Sequence, residues 1–389
     1  MTDAVIVDAI RTPGGKRGGR LAGWHPADLS AHALRQLVSR NDLDPGLVED
    51  VVWGCVSQVG EQSGNIGRYA ALSAGFPEDV PGTTIQRQCG SSQQAMHFAA
   101  QGVIAGAYDM VIAGGVESMT RVPMGSSSAN GPGHQIGPML RARYEAAGGL
   151  VSQGIAAESI ARQWKLTRED MDSFAVRSHQ RAAAATEAGH FRREIVPVPV
   201  ATGEGEVSFD RDEGIRPGST IEVLGGLKPA FSEDGQVTAG NSSQITDAAS
   251  AMLIMSAQRA NSLGLRPRAR FHAFSVVGAD PLLMLTGPIP ATQKVLRRAG
   301  LAIEDMDAIE VNEAFASVVL AFDAELHPDP ARLNPNGGAI ALGHPLGATG
   351  TKLTATLLGQ LERTGGRYGL VTMCEGGGTA NATIIERLG

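Results

Sequence analysis

The chain has 389 residues, of which 42% are hydrophobic and 19% charged, a balance that excludes a disordered chain and supports about two or three domain-sized units. Glycine is abundant, at 50 residues, but it shows no three-residue period, so a collagen-like fold is excluded. The formal net charge of −7 and the aromatic content of 4% argue against a nucleic-acid partner.

The first third of the chain alternates between short apolar runs and alanine-rich amphipathic stretches. The amphipathic stretches predict helices at residues 28–38 and 92–105. The apolar runs predict buried strands at residues 4–8, 50–54, 83–86 and 110–113. Alternating strands and helices favour an α/β fold with parallel or mixed sheets.

The second half of the chain repeats this plan. Further strands are predicted at residues 270–277, 308–311 and 368–373, and they correspond in order to the strands at 4–8, 50–54 and 110–113. In each half, a glycine-rich turn and a long helix precede the last of these strands. We interpret the repetition as an internal duplication.

A long segment between the two halves breaks the rhythm. Residues 121–149 are rich in Gly, Ser and Pro, and residues 196–216 are polar and irregular. Residues 156–189 predict a pair of helices, with a helix start at Thr167 in the string TRED. A long insertion of this kind often contacts a ligand, although a mere cover over the core is the alternative.

The cysteine content and the absence of targeting signals indicate the cytoplasm. Cys55, Cys89 and Cys374 are too few and too scattered for a disulfide framework or a metal cluster. The first apolar run is too short for a signal peptide, and no stretch is long enough to span a membrane. The C-terminal string IIERLG is not a peroxisomal signal.

Cys89 is a candidate nucleophile in the string CGSSQQ. It follows a predicted strand and precedes a predicted helix. Unpaired backbone N–H groups and the positive end of the helix dipole favour a thiolate at such a position. The alternative is an inert cysteine buried in the core.

His344 is a candidate base in the string NGGAIALGHPLGATG, at residues 336–350. An imidazole among so many glycines is expected to face a pocket. It could accept a thiol proton or donate to a developing oxyanion. A purely structural histidine is the alternative.

Two further candidates follow the predicted strands of the second half. Cys374 precedes the glycines at 376–378, whose backbone N–H groups suit an oxyanion site. A duplication would bring Cys374 opposite Cys89. Asn312, in the string NEAFA, could hold a water or orient a carbonyl group, or it could be a helix N-cap.

Together, the strings around Cys89, Asn312, His344 and Cys374 resemble the thiolase family over essentially the whole chain, with TAGNSS at 238–243 and GPIPA at 287–291 also in place. The resemblance implies an α/β thiolase fold. In this fold, two duplicated mixed-sheet halves form a layered αβαβα core with an inserted loop domain. The implied boundaries are 1–117 and 239–266 for the N-terminal half, 118–238 for the loop domain and 267–389 for the C-terminal half.

The resemblance also implies an acyltransferase that works by a ping-pong mechanism through an acyl-cysteine. It would cleave a 3-oxoacyl-CoA with CoA to give acetyl-CoA and a shortened acyl-CoA, or run the reverse Claisen condensation. By the same resemblance, Cys89 is acylated, His344 activates it and Cys374 is the acid and base. His344 and a water held by Asn312 stabilise the enolate, and the N–H groups of Cys89 and Gly376 form the second oxyanion hole.

The remaining implications concern ligands and partners. Coenzyme A is the co-substrate, with Ser243 against its pantetheine and Arg216 near its nucleotide. No metal and no permanently bound cofactor is implied, and the assembly is a homodimer or homotetramer. Ser243 and Arg216 could instead be solvated surface residues.

Two observations refine this interpretation. Ser152 and Gln153 stand where acetoacetyl-type thiolases often carry His-Met, and the motif strings look more like those of actinobacterial thiolases of lipid or sterol side-chain degradation. The rivals are a ketoacyl-synthase-like condensing enzyme, which lacks the second cysteine, and a non-catalytic subunit that binds acyl-CoA.

Overall fold

The computed structural model describes residues 3–129, 131–203 and 205–389. Its strands are β1 Ala4–Arg11, β2 Gly15–Lys16, β3 Asp50–Gly54, β4 Gly82–Ile85, β5 Met110–Ser118, β6 Val198–Thr202, β7 Gly205–Phe209, β8 Thr246–Ser256, β9 Ala269–Gly278, β10 Ala308–Val311, β11 Tyr368–Glu375 and β12 Thr379–Arg387. Its helices are α1 Pro26–Arg40, α2 Ile66–Ser73, α3 Ser91–Ala105, α4 Ser126–Ala129, α5 Pro138–Tyr144, α6 Gln153–Gln163, α7 Arg168–Glu187, α8 Ile221–Gly225, α9 Ala257–Ser262, α10 Pro288–Ala299, α11 Ala316–Leu326, α12 Ala339–Leu342 and α13 Thr349–Thr364.

The main sheet repeats one strand order in its two halves. In the order β10-β11-β12-β9-β1-β8-β5-β3-β4, the run β3-β5-β8-β1 corresponds to β10-β11-β12-β9. The first pair of each run is parallel and the following pairs are antiparallel. The two halves are joined where β1 meets β9, through only two residue pairs. The predicted duplicated mixed-sheet fold is thereby confirmed.

Two helices fill the space between the half-sheets. Ten of the fifteen residues of α3 are buried, as are eleven of the sixteen residues of α13. One apolar cluster joins α3 and α13 to strands of both halves. Further apolar clusters pack α1 and α2 on one outer face and α6, α7, α10 and α11 on the other. The layers therefore follow the order αβαβα, as expected.

The strands predicted from the sequence are present, but two central strands were not predicted. β1, β3, β4, β5, β9, β10 and β11 lie at the predicted positions, and β1 and β5 run several residues further. β8 and β12 were missed, although each is paired on both sides. β8 begins with the polar residues Thr246 and Asp247 and continues through small residues, so only its second half, with the apolar run at 251–255, has the pattern of a buried strand.

The inserted segment leaves β5 and returns at β8. It contains α4 to α8 and the two-stranded β6–β7 sheet. The predicted helix start is present, since the Thr167 side chain accepts from the Asp170 N–H and the Asp170 side chain accepts from the Thr167 N–H. Across the described ranges, no helix is long and apolar enough to cross a membrane.

Gly350 sets the separation of α3 and α13. A Cβ at this position would overlap the backbone nitrogen of Gln93 and would lie 2.6 Å from the Gln93 Cβ. The two helix backbones therefore approach each other where no side chain fits between them.

We expect Gly350→Ala to destabilise the fold by about 1–3 kcal/mol, because the added methyl group must push two buried helices apart. Gly359→Ala in the same helix is the matched control. A Cβ there meets only the ends of the Arg363 and Glu194 side chains, at 3.2 and 3.8 Å. Alanine at that position should leave stability unchanged or raise it by up to about 1 kcal/mol. Thermal unfolding of both variants measures the difference, and equal melting temperatures would contradict this account of the helix contact.

Candidate active site

A cavity of about 460 Å³ brings together three reactive side chains that are far apart in the sequence. Cys89 lies in the turn between β4 and α3, His344 lies between α12 and α13, and Cys374 is the penultimate residue of β11. All three line the cavity, and their relative exposures are 5%, 3% and 0%. The three reactive side chains therefore lie between the two halves and are almost completely buried.

The turn at Cys89 has an uncommon backbone conformation. Gln88 has a φ of +47°, which is unusual for a residue other than glycine. The Gly90 N–H donates to the Arg87 carbonyl at 3.0 Å, and the Ser91 N–H donates to the Gln88 carbonyl at 3.1 Å. The Arg87 N–H donates to the Ser91 hydroxyl at 3.0 Å. These bonds hold Cys89 at the apex of a tight turn at the cavity wall.

Burial overrides the predicted effect of the helix start on Cys89. Desolvation raises the pKa of the Cys89 thiol to about 12, and the charge of Glu375 adds to this. The backbone N–H groups of Cys89 and Gly376 act in the opposite direction, because both hydrogen-bond toward the sulfur. In the free protein, burial therefore favours the neutral thiol, and the helix start does not outweigh it.

The hydrogen bonds of His344 fix its tautomer. The Thr349 hydroxyl lies 2.7 Å from His344 Nδ1 and donates its single proton to the Pro345 carbonyl at 2.8 Å. With the Thr349 proton on the Pro345 carbonyl, Nδ1 donates to Thr349 and Nε2 is the accepting nitrogen, which agrees with the Asn312 amide donor 3.4 Å from it. Burial, together with the positive charge of Lys352, lowers the pKa of His344 to about 3. His344 is thus a neutral imidazole with a proton-accepting Nε2.

Asn312 lies beside that nitrogen. Its Nδ2 is 3.4 Å from His344 Nε2, and its Oδ1 is buried with no hydrogen-bond partner among the described residues. The alternative role as a helix N-cap is excluded, because α11 begins at Ala316 with Phe315 as its cap. An amide with an unpaired oxygen next to the imidazole is suited to hold a polar ligand atom.

Cys374 is the most deeply buried of the three reactive groups. Burial raises the pKa of its thiol well above the ordinary value, and the nearby Cys89 and Glu375 add to this. The half-buried Gly376 follows two residues later, in the turn between β11 and β12. Its N–H reaches the Cys89 sulfur, so the end of β11 supplies both a second thiol and a backbone donor.

The cavity extends from the thiols to a charged opening. Ser243 and the exposed Arg216 line it, as expected, and Lys16 and Arg17 line it as well. The remaining lining is largely apolar and includes Met119, Met124, Phe231, Leu285, Phe315 and Leu346. One cavity can therefore hold a long ligand with an anionic end and an apolar end.

The sequence did not single out several residues of this site. Thr349 lies inside the quoted string around His344, but its contact with Nδ1 depends on how the chain folds back at Pro345. Lys352, three residues further, is buried and donates to the Gly343 carbonyl at 3.4 Å. Gln153 was noted only as a departure, yet it lines the cavity. For Thr349, the only signal in the sequence was a hydroxyl residue five positions after a candidate base.

We expect Thr349→Val to reduce turnover of a 3-oxoacyl-CoA, the substrate class that the resemblance implies, at least about tenfold with little change in KM, because the imidazole loses the acceptor that fixes its proton on Nδ1. Thr349→Ser retains the hydroxyl group and is the control, with turnover close to that of the unaltered protein. Steady-state kinetics with a 3-oxoacyl-CoA measure both. Equal losses in the two variants would show that packing of the threonine methyl group, rather than its hydroxyl, supports His344.

Comparison with known proteins shows the same relationship along the whole chain. The model of the thiolase N-terminal domain matches residues 4–258, and that of the thiolase C-terminal domain matches residues 265–387. The steroid 3-ketoacyl-CoA thiolase FadA6 of Mycobacterium tuberculosis is 53% identical over 100% of this chain and 95% of its own length. The 3-ketoacyl-CoA thiolase of Erwinia tasmaniensis is 48% identical, with 100% of both chains covered.

A solved structure supports the same assignment. The crystal structure of the acetyl-CoA acetyltransferase of Bacillus anthracis superposes with a TM-score of 0.91 at 40% identity, covering 100% of this chain and 99% of the other. Both halves and the inserted segment are included in that coverage. The chain therefore belongs to the thiolase family and is an acyltransferase of that family.

Proposed function

We propose that this thiolase cleaves 3-oxoacyl-CoA thioesters with bulky apolar acyl groups, through an acyl intermediate on Cys89. The observation that carries the proposal is a single cavity lined by two thiols and an imidazole, with the N–H groups of Cys89 and Gly376 acting on the Cys89 sulfur. Carbon–carbon cleavage needs a nucleophile, a proton source for a carbanion, and donors for two oxyanions. The site contains a candidate for each.

The first half-reaction transfers the acyl group. The Cys89 thiol gives its proton to His344 Nε2, and the sulfur attacks the C3 carbonyl carbon. The N–H groups of Cys89 and Gly376 receive the oxyanion. The C2–C3 bond then breaks and its electron pair forms the enolate of acetyl-CoA, stabilised by His344 and a water on Asn312. Cys374 donates a proton to the enolate carbon, and acetyl-CoA leaves.

The second half-reaction releases the product. The incoming CoA thiol gives its proton to the Cys374 thiolate, and the CoA sulfur attacks the acyl carbon on Cys89. The same two N–H groups receive the oxyanion. The Cys89 sulfur leaves and recovers its proton from His344, so every group returns to its initial state. The site therefore binds a CoA group twice in each cycle, first in the 3-oxoacyl-CoA and then as free CoA.

The cavity supports a placement for each end of the substrate. Arg216, Lys16 and Arg17 supply positive charge for the CoA phosphates, and Ser243, which lines the same cavity, is the proposed pantetheine contact. Phe231 and Phe315, whose ring centroids are 5.8 Å apart, belong to the apolar lining available to an acyl group. A broad apolar wall suits a ring system as well as a linear chain.

Similarity supports a steroid-derived acyl group in particular, because the relative that is named for steroid 3-ketoacyl-CoA is 53% identical over the whole chain. We expect kcat/KM for a steroid-derived 3-oxoacyl-CoA to exceed that for acetoacetyl-CoA at least about tenfold, since apolar burial contributes about 25 cal/mol per Å². CoA-dependent loss of the 3-oxoacyl-CoA absorbance measures both. A preference for acetoacetyl-CoA would overturn the substrate assignment and leave the thiolase activity in place.

The rival functions are not favoured. A ketoacyl-synthase-like enzyme would lack the second cysteine, whereas Cys374 is present and lines the cavity. A non-catalytic subunit would be expected to have lost a reactive group, whereas Cys89, His344 and Asn312 are all present and close together.

The arrangement of the chain also supports proposals about its organisation. We assign residues 1–117 and 239–266 to the N-terminal half, 118–238 to the loop domain and 267–389 to the C-terminal half, in a cytoplasmic homodimer or homotetramer. The exposed apolar side chains of Tyr69, Leu72 and Phe98, on α2 and α3 near the edge strand β4, support contact with a second copy.

Variants of the two thiols should separate the two halves of the proposed chemistry. Cys89→Ser should form no acyl-enzyme, because a hydroxyl group is a far weaker nucleophile. Cys374→Ser should still acylate Cys89 from an acyl-CoA but should lose both cleavage and exchange of the acetyl-CoA methyl protons with solvent. Mass spectrometry and NMR in deuterated buffer measure these outcomes.

Two results would contradict this assignment. Acylation mapped to a residue other than Cys89 would remove the nucleophile from the proposal. Proton exchange at the unaltered rate in Cys374→Ser would assign the base to another group.

A further inference from the structure

Glu375 is a buried ionisable residue that the proposed mechanism does not use. It is the last residue of β11, it follows Cys374 directly, and its exposed fraction is 0%. The Thr379 hydroxyl donates to its Oε2 at 2.6 Å. Its Oε1 is buried and accepts no hydrogen bond from the described residues. One oxygen of this carboxyl group therefore lacks a hydrogen-bond donor, which is energetically costly for a charged oxygen in the core.

The uncompensated oxygen lies against the turn that carries Cys89. A Cβ at Gly90 would overlap Glu375 Oε1 and would lie 2.9 Å from its Cδ, so the carboxyl group packs on the Cα of the residue after Cys89. The neighbouring Asn381 donates from Nδ2 to the Gly90 carbonyl at 3.2 Å. The carboxyl group is thus fixed beside Cys89 by packing and by the bond from Thr379.

Few charged groups surround this carboxyl. Arg87, from the turn before α3, is the cation that acts on it, yet its buried Nε has no hydrogen-bond partner among the described residues. Cys374 precedes Glu375 on its own strand, Cys89 faces it from the turn, and β12 contributes the neutral Thr379 and Asn381. Beyond these, the carboxylate of Glu117 also acts on Cys89. A charged Glu375 therefore acts mainly on the two thiols.

We propose that Glu375 is a positioning residue that holds Cys89 as a neutral thiol in the free enzyme, through a negative charge placed across Gly90 from the sulfur. This inference rests on the proposed role of Cys89 as the nucleophile. A thiolate beside a fixed carboxylate suffers like-charge repulsion that water cannot screen in a buried site. Cys89 is then protected from small electrophiles and becomes reactive only against a bound carbonyl, whose developing oxyanion meets the N–H groups of Cys89 and Gly376.

The charge state of Glu375 makes the effect depend on pH. Burial raises the pKa of Glu375 to about 7, against the opposing effects of Thr379 and Arg87. Above this pH the carboxylate is charged and opposes the Cys89 thiolate, and below it the opposition is lost. The thiolate population of Cys89 should therefore rise less steeply than tenfold per pH unit while Glu375 titrates.

Alkylation of Cys89 by iodoacetamide between pH 6 and 9 tests the inference, with the modified peptide quantified by mass spectrometry. We expect Glu375→Gln to alkylate at least about tenfold faster at pH 8, with a slope of tenfold per pH unit throughout. A structural defect alone would not steepen the pH profile. An unchanged or slower rate in a folded variant would overturn the proposal.

Thr379→Val provides a second test that keeps the carboxyl group. Loss of the hydroxyl donor favours the protonated Glu375, so Cys89 should alkylate faster than in the unaltered enzyme near pH 7 and equally fast at pH 9. An identical profile at both pH values would contradict the proposal, even if Glu375→Gln does not fold.

A separate measurement tests the nucleophile itself. Acylation by a 3-oxoacyl-CoA should map to Cys89 in the unaltered enzyme. If the acyl group maps to another residue, this measurement alone contradicts the proposed function. If it maps to Cys89 while both variants alkylate at the unaltered rate, only the role of Glu375 fails.

Discussion

The structure depends on one constraint, which is that the reacting sulfurs lie where water hardly reaches. Cys374 is fully buried, and Cys89 and His344 are almost so. In such a place an isolated charge is costly, so the free site holds neutral thiols and a neutral imidazole. Charge can then develop only where donors already point at it, as the N–H groups of Cys89 and Gly376 do. Burial disfavours the thiolate in the free enzyme. The thiolate therefore forms only when a substrate is bound.

Such a site needs backbones that approach each other closely. Gly54 on β3 and Gly115 on β5 both lie against the Gly347 carbonyl, at distances that leave no room for a side chain. The Gly347 N–H donates to the buried Glu117 carboxylate at 2.8 Å, and Val56 and Ser57 donate to the same carboxylate at 2.9 and 3.0 Å. The segment that carries His344 is thereby held against the first half of the molecule. Gly54, Gly115 and Gly347 are therefore required by the close contact between the halves.

The sequence predicts the main architecture because the repeated pattern of strands and helices is local. It predicts Cys89, Asn312 and Cys374 because each lies in a distinctive string at the end of a predicted strand, and His344 because it lies in a glycine-rich string. It misses β8, whose first half consists of small and polar residues, and β12, which alternates polar and apolar residues over 379–384 but mostly with small side chains. It misses the roles of Thr349 and Glu375, since these depend on which atoms face each other after folding.

The pKa of Cys89 is raised, although its position at a helix start predicts a lowered pKa. A helix start favours a thiolate by a modest amount, whereas complete burial and a neighbouring carboxylate oppose it by more. Lys352 acts on the other member of the proton-transfer pair, because its positive charge disfavours protonation of His344. Its own pKa is lowered to about 8 by burial and by Arg11, while Asp212, Glu194 and Glu310 act to raise it.

In the proposed mechanism, an anion beside the acid and a cation beside the base therefore oppose the same proton transfer, from Cys89 to His344. If the signs were exchanged, the free enzyme would hold a thiolate–imidazolium ion pair that any electrophile could reach. With the signs as they stand, the ion pair becomes favourable only when a carbonyl oxygen begins to take up negative charge between the two N–H groups. The two buried charges thus tie nucleophile formation to the bond-making step, in a protein whose substrates are themselves thioesters that a free thiolate would attack without selection.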